Sequence, residues 1–129
     1  MRYTVDTHAL VWHLTNDARL GNHARQILDD HRAPLIIPSI VLAEAKYIAE
    51  RKRVAIPFKA ILDAVFTSPN ATFFAFDLFL IEYLPAGLEI HDSIIVATAL
   101  FCKEFFREEV SIVTNDLAIT QSGLVPVIW

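Results

Sequence analysis

Four acidic residues stand at the borders of apolar stretches, where an isolated carboxylate is hard to place. Asp6 ends Tyr3-Thr4-Val5, Asp116 follows Ser111-Ile112-Val113-Thr114, Asp92 opens a long apolar segment, and Glu44 lies inside one. If these carboxylates share a rim they repel strongly. Two of them about 5 Å apart do so by roughly 3 kcal/mol at an effective dielectric of about 20. Either some take up protons or a cation enters. No Lys or Arg adjoins Asp6, Asp92 or Asp116 in sequence. An all-oxygen ligand set favours Mg²⁺ or Mn²⁺ over zinc. Such an ion binds phosphate and activates water, so phosphodiester hydrolysis is the chemistry this set suits.

The elements that must position these groups are short. Strands are expected at residues 3–5, 35–37, 72–75, 111–114 and 125–128, from their apolar, β-rich runs and flanking turn residues. Helices are expected at 8–14, 22–30, 39–51, 57–66, 77–84, 91–106 and 116–121. Ser39 is read as the cap of the third and Pro57 as the opening of the fourth. The stretch Ile94-Ile95-Val96-Ala97 is apolar nearly all round, which puts the long helix deep in the core. Strands alternating with helices imply parallel pairing covered on both faces. The expected fold is therefore α/β: one domain over residues 1–129, three αβα layers, and a four- or five-stranded mainly parallel sheet. Ligands of such folds bind at the carboxyl ends of the strands, where Asp6, Asp92 and Asp116 fall together.

Glu44 is the most informative acid. Its helical neighbours Ile40, Val41, Tyr47 and Ile48 form an apolar stripe, so it is expected to be buried or to line a cleft. It lies five residues past Ser39, roughly 7 Å along the axis, with its side chain leaning back toward the rim. Ordinary roles stay open for all four. Asp6, Asp92 and Asp116 also suit helix caps and the positive end of the helix dipole. A buried Leu42/Ala45/Ala49 face would leave Glu44 solvated. Thr7, Thr114, Asn115 and Ser93 flank the acids as candidates to orient a metal, its water or substrate. His8 and His91 are candidate proton donors beside them. His8 and His13 lack zinc-site spacing and matching cysteines.

Composition narrows the class. Of 129 residues, 54% are hydrophobic and 20% charged, with three Gly and six Pro, which excludes disorder and fibrous repeats. Mean hydropathy of +0.42 is high for a small soluble chain and suggests an apolar patch that a partner covers. No membrane span is expected. The best candidate, 71–88, contains Asp77, Glu82 and Pro85. Asp6 interrupts the first apolar run, unlike a signal peptide, and the single Cys102 can form no intrachain disulfide. A reducing cytoplasm is the expected location. Net charge is −4 but uneven: residues 1–59 carry nine Lys/Arg against six Asp/Glu, and the remainder two against nine. The basic part, with Arg51-Lys52-Arg53, could touch phosphates or could be a solvated helix end.

In Val5-Asp6-Thr7-His8-Ala9-Leu10-Val11-Trp12, Pro38-Ser39-Ile40-Val41-Leu42-Ala43-Glu44, Ile90-His91-Asp92-Ser93-Ile94-Ile95-Val96-Ala97-Thr98-Ala99, Val113-Thr114-Asn115-Asp116 and the closing Gly123-Leu124-Val125-Pro126-Val127-Ile128-Trp129, the chain resembles PIN-domain ribonucleases. Among them it is most similar to VapC-type toxins of bacterial toxin–antitoxin modules. The resemblance implies a Mg²⁺- or Mn²⁺-dependent endoribonuclease. Asp6, Glu44, Asp92 and Asp116 would hold the metal, and the products would carry 5′-phosphate and 3′-hydroxyl ends. It also implies a homodimer and a cognate antitoxin whose tail wraps the toxin. Ser93 departs from the pattern, because many relatives carry a basic residue there.

Other classes fit less well. A signalling receiver domain needs an acidic pair after the first strand and a lysine after the last but one. An aspartyl-nucleophile phosphatase needs a second acid where His8 stands. The alternative that remains is a non-catalytic PIN-fold protein binding RNA or protein.

Overall fold

The computed structural model describes residues 1–129. The chain runs β1 (Arg2–Val5), α1 (Thr7–Leu14), α2 (Asn22–Asp29), β2 (Leu35–Pro38), α3 (Ser39–Glu50), α4 (Phe58–Phe66), β3 (Ala71–Phe74), α5 (Leu78–Ile81), α6 (Ile90–Phe106), β4 (Val110–Val113), α7 (Leu117–Ser122), β5 (Val127–Ile128). All five strands are parallel, in the order β3-β2-β1-β4-β5. Parallel strands need crossovers, and the helices supply them. The path steps from β1 through β2 to β3, then returns to add β4 and β5 on the other side of β1. The direction of winding therefore reverses between β1 and β4, which opens a crevice beyond their carboxyl ends.

The register aligns that crevice. Val5 pairs with Val113 and Thr4 with Ile112, so Asp6 and Thr114 leave the sheet side by side. The Asp6 N–H still donates to the Val113 carbonyl at 3.1 Å. Helix α6 lies against β1, β2 and β4, while α1, α3 and α4 pack on one another, giving three αβα layers. Every residue from Ser93 to Ala99 is buried, as the all-round apolar pattern requires. All four positions of β4 are buried too, which fits a strand covered on both faces.

Several local expectations shift. Ser39 is not a cap: it is the first helical residue of α3, after Pro38, and makes no capping bond. Its hydroxyl instead accepts from the Phe76 N–H at 3.1 Å, tying α3 to the segment after β3. Helix α5 is four residues long rather than reaching residue 84. Pro85 disfavours helical backbone in the residue before it, and only Leu80 of α5 is buried. Strand β5 keeps two residues, because Pro126 has no N–H to add to the ladder. Phe74, one of the aromatic group of the middle segment, is packed against Phe101, Phe105 and Phe106, whereas Phe79 remains 74% exposed.

Gly21 shows the tightest backbone approach. A Cβ there would sit 2.5 Å from the carbonyl carbon of Trp129 and 2.7 Å from its indole ring. That ring stands edge-on to Trp12, centroids 5.8 Å apart. Gly21→Ala is expected to push Trp129 off this seat at a cost of about 1–3 kcal/mol. Urea unfolding checks this, and an unchanged midpoint would refute the packing described.

Candidate functional site

Asp6 begins the site because β1 must end where α1 starts. As N-cap of α1 it accepts from the Thr7 N–H through Oδ1, at 2.6 Å. Its other oxygen, Oδ2, accepts from Thr114 Oγ1 at 2.5 Å. Thr114 Oγ1 in turn accepts from the Asp116 N–H at 3.0 Å. Asp116 caps α7, taking the Ile119 N–H on Oδ1 at 2.9 Å. Thr7, buried beneath the rim, donates its hydroxyl to Glu44 Oε1 at 2.9 Å. One hydrogen-bonded line thus runs from Asp116 through Thr114, Asp6 and Thr7 to Glu44. Asp92, in the first turn of α6, completes the group and feels the charges of Asp116, Asp6 and Glu44.

Capping and clustering are therefore compatible, since Asp6 and Asp116 do both. Glu44 lines a cleft, one of the two placements its apolar neighbours suggested. Helix α3 buries Val41 and Ala45, so the core face is not the one carrying Glu44. Glu44 is nevertheless only 31% exposed, because it stands on a cleft wall with Ile40, Tyr47 and Ile48.

The flanking candidates divide. Thr7 and Thr114 hold the acids directly. Asn115 is exposed on the turn between β4 and α7. Ser93 points elsewhere: it is buried, and its hydroxyl donates toward the carbonyls of Leu88 at 3.2 Å and Pro85 at 3.4 Å. Its hydroxyl thus ties α6 to the loop that enters it. His8 is exposed beside Trp12. His91 Nδ1 lies 3.8 Å from Glu44 and 3.6 Å from Glu89. Glu89 was not singled out in the sequence. It caps α6 through Oε2, accepting from the His91 N–H at 2.9 Å and Asp92 N–H at 3.4 Å, and adds charge against Asp92. Its signal was there: an acid three residues before Asp92, just ahead of a long helix.

Electrostatics follows from this placement. Burial raises the pKa of Asp6, against the hydrogen bonds of Thr114 and Thr7 that oppose the rise. Burial raises Glu44 as well, opposed by Thr7 and His91. Asp92 is pushed up to about 6, first by burial and then by Asp116, Asp6, Glu89 and Glu44. No Lys or Arg forms an ion pair with any of the four. No three His, Cys, Asp or Glu side chains close on one point as a ready cage. A hard cation held by one or two carboxylates and its own waters does fit the donor set, which offers only oxygens and excess negative charge.

A carboxyl with a raised folded-state pKa favours the folded chain at low pH, where it is protonated. That advantage is lost as pH climbs from its ordinary value of 3.8 to about 6 for Asp92. Without divalent ions, the ionised Asp92 is expected to cost about 1 kcal/mol at pH 7, the full shift being discounted for its partial exposure. Asp92→Asn should then match or exceed wild type in urea unfolding with chelator at pH 7, and lose that edge at pH 4. A variant clearly weaker at pH 7 would contradict the strained-charge account.

No curated protein matches the chain. The PIN domain pattern matches residues 3–121, a span that contains all four carboxylates. The chain belongs to the PIN-domain family, whose members are typically metal-dependent nucleases.

Proposed function

We propose that this chain is a Mg²⁺- or Mn²⁺-dependent endoribonuclease, the VapC-like toxin of a type II toxin–antitoxin pair, acting in the cytoplasm. The observation that supports the nuclease reading is the hydrogen-bonded line from Asp116 through Thr114, Asp6 and Thr7 to Glu44, with Asp92 near enough to feel these charges and no Lys or Arg ion-paired with any of the four. Bound there, the divalent ion supplies an acidified water and charge against the phosphate oxygens. The chain's own groups do the rest. Thr114 fixes the Asp6 carboxylate, and Thr7 fixes Glu44, so neither has to reorganise when an ion or phosphate arrives. His91, at the cleft mouth beside Glu44, is the group available to pass a proton to the leaving 3′ oxygen.

The toxin reading rests on the ordered motifs and on surface chemistry. Phe66, Leu78 and Phe79 are 62%, 82% and 74% exposed, an apolar surface suited to a second copy of the chain or to an antitoxin. No helix is long and apolar enough to cross a membrane, and Cys102 is a buried free thiol. Both suit a cytoplasmic protein.

Titrating Mn²⁺ against wild type, Asp6→Asn and Asp92→Asn on a mixed RNA substrate tests the site. Cleavage should require the ion and fall about 100-fold or more in either variant. Cleavage that survives both substitutions would refute the assignment. RNA binding with no cleavage at any ion concentration would favour the non-catalytic PIN-fold reading.

A further inference from the structure

Next to the carboxylates, α1 and α3 line a cavity of about 740 Å³ that the nuclease site does not account for. Its size falls within the ~300–1,000 Å³ of small-ligand pockets. Glu44 and His91 belong to its wall, so it is continuous with the acidic rim. Beyond them the lining changes character. Trp12 and Tyr47 supply aromatic surface, and Arg19 and Arg53 supply positive charge.

The aromatic groups are braced. The Arg19 guanidinium lies 4.5 Å from the Trp12 ring centroid and is fixed by Asp17 at 2.8 and 3.1 Å. Arg51 lies 3.4 Å from the Tyr47 ring centroid. Arg51 does not line the cavity and stiffens Tyr47 from behind, whereas Trp12 is already contacted by Arg19, His8 and Trp129. Arg53, by contrast, has no acidic partner, although it lines the cavity. A free cation beside aromatic and aliphatic walls complements a ligand with a flat apolar body and an adjoining anion. A nucleotide has that form. An apolar peptide would leave Arg53 without a partner.

We propose that this cavity is a subsite for one unpaired nucleobase of single-stranded RNA, with Tyr47 as the stacking surface, Trp12 as a side wall and Arg53 holding a neighbouring phosphate. The inference rests on the nuclease reading, because Glu44 and His91 join the cavity to the place where the backbone would be cut. A base held in a duplex stack cannot enter.

Binding separates this inference from cleavage. Five-nucleotide single-stranded RNAs carrying one 2-aminopurine, placed at each position in turn, are titrated in Ca²⁺ against wild type and Tyr47→Ala. Tyr47 is 49% exposed, so its truncation leaves the core intact. One position should show quenched emission that Tyr47→Ala abolishes, and an abasic residue there should weaken binding about tenfold. Arg53→Gln should lower the slope of log affinity against log salt by about 0.7, one phosphate's worth. Equal binding of intact and abasic RNA, or no binding of RNA, would overturn the subsite. Equal binding is also the outcome if a peptide is the true occupant. Mn²⁺-dependent cleavage by wild type, measured in parallel on longer RNA, reports on the nuclease reading alone. A quench with no cleavage refutes that reading and leaves the subsite standing, and cleavage without a quench does the reverse.

Discussion

The hydrogen bond between Thr114 and Asp6 joins residues that follow two neighbouring strands, and it exists because the β1/β4 register brings them level. A slip of one residue would turn alternate side chains to the opposite face and separate the pair. The rest of the site hangs from this junction. Asp116 is tied to Thr114 through its N–H, and Glu44 to Asp6 through Thr7. Hydrogen bonds to charged groups contribute about 1.5–3 kcal/mol each, which helps offset the cost of burying Asp6 and Glu44. Nothing comparable supports Asp92, whose pKa is pushed up to about 6. The fold tolerates a locally unfavourable charge arrangement, and the proposed cation site rests on it.

The layered architecture was readable because the strands are short, apolar and separated by clear helical stretches. What blurred was the ends. Ser39 has the chemistry of a cap, but Pro38 already holds the extended backbone that a cap needs, leaving the Ser39 hydroxyl free for Phe76. Among the acids, spacing pointed to Asp6, Asp92 and Asp116 because strand ends and helix starts share an edge. The orientation of Glu44 was open, since α3 is apolar on two faces and only tertiary packing chose between them. Ser93 misled for a related reason: adjacency to Asp92 in a helix means a rotation of about 100°, enough to turn its hydroxyl into the α6 entry loop. Glu89 was missed because it precedes the helix and reads as loop.

Charge asymmetry along the chain acquires a spatial meaning. The basic first part supplies Arg19 and Arg53 at the cavity wall, while the acidic second part supplies Asp92 and Asp116. A net charge of −4 would disfavour a polyanion if it were spread evenly. On the proposed nuclease reading, separating the two signs would let a phosphate chain meet cations first and carboxylates only where an ion bridges them.

The pairing of β1 with β4 also sets when the site can exist. Arg2 pairs with Val110, so β1 waits for a partner that lies far along the chain. Contacts of such long range close slowly, because loop entropy is lost before they repay it. Asp6 and Glu44 can find each other through Thr7 while β4 is still undocked. A chain without that pairing therefore holds two of the four carboxylates together, and Asp116 joins them only when β4 docks.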